Sequence, residues 1–89
     1  MYENVIEQIY ILSHLNGCDD VYEHNNIITV SAGIVSGDHE DVRIRCDGLT
    51  IESYTTTLGD IFWGYPKDTT KFKYIGFVFA LLKEYNGKN

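Results

Sequence analysis

The chain has 89 residues, 44% of them apolar, with seven Tyr, four Phe, one Trp and a single Pro; this reads as one folded domain over residues 1–89, with room for two packed layers but not for a deep catalytic cleft and lid as well. The net charge of −6 is unevenly spread, since residues 1–42 hold eight carboxylates and no Lys or Arg, whereas residues 43–89 hold seven bases and five acids. A first half without a cation repels phosphate, which argues against direct nucleic-acid binding and for a protein partner with a basic surface.

Residues 2–16 have helical spacing. Tyr2, Val5, Ile6, Ile9, Leu12 and Leu15 share one face, and Glu3, Glu7, Tyr10 and His14 line the other. Asn16-Gly17 is a C-terminal stop, because Gly enters the left-handed region without a Cβ clash. Glu3 and Glu7 stand where a secretory signal would carry bases, and the longest apolar run, residues 74–82, is far too short to span a bilayer. The expectation is a cytoplasmic chain without membrane contact, in which Cys18 and Cys46, lacking C-x-x-C spacing, are small buried hydrophobes.

Four segments of strand character follow, at residues 20–24, 27–35, 40–46 and 49–55. Asn25-Asn26 joins the first two and Asp47-Gly48 the last two, both favoured in tight hairpins. A two-residue turn at Asp47-Gly48 sets Cys46 opposite Leu49, Arg45 opposite Thr50, Ile44 opposite Ile51 and Arg43 opposite Glu52, with apolar pairs on one face and the charged pair on the other. Matching faces between the second and third strands then pairs Val30 with Ile44 and Ala32 with Val42, leaving a loop over residues 36–39. Residues 56–70 form an aromatic linker containing Ile61, Phe62, Trp63 and Tyr65, with space for one helical turn. Asp68 or Thr69 caps a second helix over about residues 70–85, stopped by Asn86-Gly87. The predicted fold is α+β, a four-stranded antiparallel meander with an N-terminal and a C-terminal helix packed on one face, in the order α-β-β-β-β-α.

This meander gathers Asp19, Asp20, Asp38, Glu40 and Asp41 on one rim around His39. Three readings compete: a solvated turn, an acidic patch for a protein partner that imitates phosphates, and a Ca²⁺ or Mg²⁺ site lacking the alternating D-x-D-x-D-G spacing. His24 and His39 lie a strand length apart, so they do not share a metal, and no metal or cofactor is expected. Arg43 forms a cross-strand pair with Glu52, while Arg45 is left as an interface candidate. Trp63 and Tyr65 either cap the core edge or anchor a partner, since such residues dominate binding hot spots; stacking on single-stranded bases is a third option with few bases to support it.

The second helix is apolar nearly all round. Phe72, Ile75, Phe79 and Leu82 form one stripe, and Tyr74, Phe77, Val78, Leu81 and Tyr85 a second that meets either the first helix or a second subunit, with Gly76 permitting close approach. No G-x-S-x-G, G-x-x-x-x-G-K-[ST], H-E-x-x-H or G-x-G-x-x-G occurs, so no enzyme is expected. In size, acidity and lack of catalytic motifs the chain is similar to small phage-encoded inhibitors of bacterial defence, such as anti-CRISPR proteins. This resemblance aligns no segment and transfers no residue. It implies occlusion of a basic, nucleic-acid-binding surface in the host cytoplasm. A homodimeric structural or regulatory subunit is the alternative, and a small ligand-binding domain or enzyme, which needs a pocket joining His or Cys to carboxylates, is the second.

Overall fold

A computed structural model describes residues 2–33 and 37–87. Helix α1 (Tyr2–Leu15) leads into β1 (Asp20–His24), β2 (Ile27–Ala32), β3 (Glu40–Arg45), β4 (Thr50–Thr55) and β5 (Ile61–Trp63), and helix α2 (Gly76–Gly87) closes the chain. The strands form one antiparallel sheet in the order β1-β2-β3-β4-β5. The α+β class with a helix at each end holds, but the sheet has five strands rather than four. The additional strand is the Ile61-Phe62-Trp63 portion of the aromatic linker.

Local chemistry explains most element ends. Gly17 has φ +75°, and the Cys18 and Gly17 amides donate to the Ser13 and His14 carbonyls, a Schellman stop for α1. Asn25 and Asn26 both take positive φ, which matches the right-handed twist of the β1–β2 hairpin. The third turn differs from expectation. Four residues, Cys46 to Leu49, connect β3 to β4, and Cys46 and Leu49 are turned into the core. Residues 34–36, the expected end of the second strand and start of the following loop, lie outside the described residues.

Beside the turn at Cys46 to Leu49, Arg45 pairs with Thr50 and Ile44 with Ile51, as expected, but elsewhere the register departs from the expected one. β2 meets β3 with Val30 opposite Val42 and Ile28 opposite Ile44, two residues from the expected pairing, so the faces are preserved. β4 carries an irregularity: Ile44 pairs with Ile51 and Arg43 with Ser53, leaving Glu52 as the extra residue of a bulge. Without it Ser53 would face the helices and Tyr54 the solvent. With it Tyr54 turns inward, stacks on Phe62 at 5.3 Å and meets Phe72 and Phe79 edge-on. Tyr54, Phe72 and Phe79 join Ile9, Ile28, Val30, Val42, Ile44, Ile75, Val78 and Leu82 in a core between the helices and one sheet face, with Phe62 at its rim.

Helix α2 begins at Gly76, later than predicted, because earlier amides are committed to side chains. The Thr70 amide donates to the Asp68 carboxylate, and the Lys73, Tyr74 and Ile75 amides donate to Glu40 at 2.8, 2.8 and 3.1 Å. Among the described residues no helix is long and apolar enough to cross a membrane.

Candidate functional site

Both helices pack on one sheet face, so the side chains that alternate away from the core form an open face. Three rows cross it. Asp20, Ser31, Asp41, Thr55 and Ile61 pair successively in the first row, Tyr22, Thr29, Arg43, Ser53 and Trp63 in the second, and His24, Ile27, Arg45 and Thr50 in the third. Trp63 is 72% exposed, Ile61 61% and Tyr22 46%, whereas Thr29 and Ser53 between them are buried. The result is a polar floor with apolar walls: a depression of about 250 Å³ whose lining includes Tyr22, Ser31, Asp41, Arg43, Thr55 and Ile61. A second depression of about 240 Å³ shares Tyr22, Thr29 and Arg43 and continues toward His24 and Glu52.

The sheet brings Asp20 and Asp41 to the same end and face, two strand spacings or roughly 10 Å apart. It does not assemble the whole rim predicted from the sequence. Glu40 points to the opposite face, is 3% exposed and binds the amides leading into α2. A carboxylate so buried presents no charge to a partner, and its role is to fasten β3 to α2. Asp38 lies 3.5 Å from the Lys73 ammonium, so part of its charge is neutralised at the surface. Asp41 takes the His39 Nε2 at 2.9 Å on one oxygen. Its other oxygen is shielded from solvent and has no hydrogen-bond partner among the described residues. Asp19 and Asp20 are exposed at the start of β1.

The arginine assignments exchange. Because Glu52 is the bulge residue, it leaves Arg43 and reaches Arg45 at 3.4 Å. Arg43, opposite Ser53, has no carboxylate in ion-pair range among the described residues.

The two aromatic anchors also separate. Trp63 stands on the open face, whereas the Tyr65 hydroxyl donates to the Phe79 carbonyl at 2.7 Å and its ring meets Phe79 edge-on, on the helical side. One partner patch does not span both faces. Burial pushes the Tyr65 phenol up.

The proposed subunit stripe on the second helix is largely occupied within the chain. Tyr74 precedes α2, Val78 is fully buried, and Phe77, Leu81 and Tyr85 are half-buried against the core. Val5 and Gln8 of α1 share a small depression with Leu81 and Tyr85, so the first helix meets this stripe.

Burial, then Asp19, pushes the Cys18 thiol up to about 11, and burial also raises Cys46, so at neutral pH neither is a ready nucleophile. The thiols sit at opposite ends of the sheet, next to β1 and after β3. Among the described residues no group of three or more His, Cys, Asp or Glu could hold a metal ion.

Of the nine exposed carboxylates among the described residues, five lie on or beside α1 and edge strand β1. Glu3, Glu7, Asp19, Asp20 and Glu23 are all exposed there. Burial, then the charge of Glu23, pushes the Tyr10 phenol up. Lys67, Lys71 and Lys73 are exposed on the loop between β5 and α2, and Lys83 on α2 itself. No protein-family model matches the chain, and no curated protein or solved structure matches it.

Proposed function

We propose that this chain is a non-enzymatic protein-binding module that covers a basic, nucleic-acid-binding surface of its target, as a small phage-type inhibitor such as an anti-CRISPR protein does, in the cytoplasm. The observation that carries this reading is the set of exposed carboxylates at the β1 edge, Asp19, Asp20 and Glu23, joined by Glu3 and Glu7 on α1, within a half of the chain that holds no Lys or Arg. Such a side attracts cationic surfaces over distances set by ionic strength and acts chiefly on the association rate. The lysines between β5 and α2 are exposed as well, and Lys73 lies against Asp38. Tyr22 and Trp63 on the open face supply the apolar contact that long-range attraction lacks.

The test uses a fluorescent deca-arginine peptide as the basic probe. Wild-type protein is expected to bind it more weakly as salt rises from about 0.05 to 0.5 M, where the Debye length falls from roughly 14 to 4 Å. The triple variant Asp19→Asn, Asp20→Asn, Glu23→Gln should keep its circular dichroism, associate more slowly and respond less to salt. A single-stranded oligonucleotide that sequesters the peptide should compete. Equal salt dependence of the two proteins would overturn the reading.

A further inference from the structure

We infer that the depression over Asp41 on the open sheet face seats one arginine side chain of the basic partner, an assignment that rests on the proposed function and gives it a contact point. Asp41 is the only carboxylate lining this depression. One of its oxygens is held by His39, and the other is shielded and has no donor among the described residues. A carboxylate oxygen in that state gains more from an incoming donor than a solvated one does. The terminal torsion of a carboxylate is soft, and because both oxygens turn together, a donor that draws the shielded oxygen into the depression loosens the His39 contact and takes its place.

The surroundings favour a guanidinium over an ammonium. Ser31 and Thr55 are the direct cross-strand neighbours of Asp41, and both line the depression, so hydroxyl acceptors flank the carboxylate. A planar group with five donors can serve all three, and its flat faces lie against the Tyr22 ring and Ile61. An ammonium uses three donors and stacks poorly. Arg43, two residues along the same strand face and without a carboxylate partner among the described residues, repels a second cation and confines the base to the Asp41 end.

The test titrates isotope-labelled protein with arginine amide and, separately, lysine amide, following backbone amide shifts. Arginine amide should move Ser31, Asp41 and Thr55 saturably, and lysine amide should bind several-fold more weakly. Asp41→Asn, whose intact fold the same spectra report, should lose about tenfold in affinity or more. Thr55→Val, which keeps the side-chain shape, should lose roughly two- to fivefold. Arg43→Ala should bind as well as wild type or better. Unchanged affinity in Asp41→Asn, or a tenfold loss in Arg43→Ala, would overturn the assignment, the latter because it marks an anion site. The deca-arginine assay separates the two proposals. Binding kept by Asp41→Asn but weakened by the Asp19, Asp20, Glu23 triple variant removes the arginine seat and leaves the acidic side standing. No binding to wild type at low salt removes both.

Discussion

Glu40 and Asp41 are adjacent in the sequence and opposite in fate. Strand alternation turns Glu40 to the helical face, where three amides surround its carboxylate, and turns Asp41 to the open face, where one histidine meets half of it. The two faces of the sheet repeat this contrast. On the helical face the Glu40 carboxylate is paired with three amides and the rings of Tyr54, Phe62, Phe72 and Phe79 interlock. On the open face Tyr22, Ile61 and Trp63 stand around a polar floor. The same residue type therefore contributes to stability on one side and is available for recognition on the other.

Substitutions on the helical face should give the largest effects. Tyr54→Ala removes a ring in contact with three others and should cost roughly 3–4 kcal/mol in urea unfolding. A loss under about 1 kcal/mol would show that the bulge at Glu52 does not hold this ring in the core. Glu40→Ala strands three amides at the start of α2 and should cost about 3 kcal/mol, lowering the melting temperature by on the order of 15 °C. A neutral outcome would place the carboxylate outside, back on the acidic rim.

At the end of β2 the backbone itself is the constraint. Gly33 has φ +84°, and a Cβ there would lie 2.5 Å from the Asp38 carbonyl oxygen, so Gly33→Ala should cost about 2 kcal/mol. Alkaline pH probes the half-buried Cys18 thiol. Free Cys titrates near 9 in the unfolded chain and Cys18 at about 11 in the fold, so the unfolded state holds fewer protons between these values. Stability from this group is complete below pH 9 and is lost as pH rises toward 11. Cys18→Ser should flatten the slope of unfolding free energy against pH across that window.

The smallest effects belong to the open face. Trp63→Ala and Asp41→Asn should change unfolding free energy by about 0.5 kcal/mol or less, since one ring is largely exposed and the other side chain is bonded only to a surface histidine. A loss of 2 kcal/mol in either would erase the distinction between the faces.

Local signals carried much of this fold. The helical period of α1 and its Asn16-Gly17 stop, the Asn25-Asn26 hairpin and the alternation of Ile28, Val30, Val42 and Ile44 are all written in short spans, where dihedral preference and period decide, although Leu15, read onto the apolar face of α1, is exposed and Ser13 is buried in its place. The inward turn of Glu40 was legible too, because a period of two places it with Val42 and Ile44. Its adjacency to Asp38 and Asp41 drew it into an acidic cluster instead. β5 was obscured by being three residues long, though Gly59 and Gly64 bracket three strand-forming side chains.

The sequence by itself determined the class: its periodicities change from helical to alternating and back, and its charge asymmetry depends only on composition. Tertiary structure alone decided the bulge at Glu52, the late start of α2, the exchange of ion partners between Arg43 and Arg45, and which carboxylates reach solvent. Each of these depends on groups distant in the chain competing for one partner or one side of the sheet. The Glu40 carboxylate outcompetes the helical carbonyls for the amides of residues 73–75, from 33 to 35 positions away, and the burial of Tyr54 outweighs the backbone pairing lost at one bulged residue.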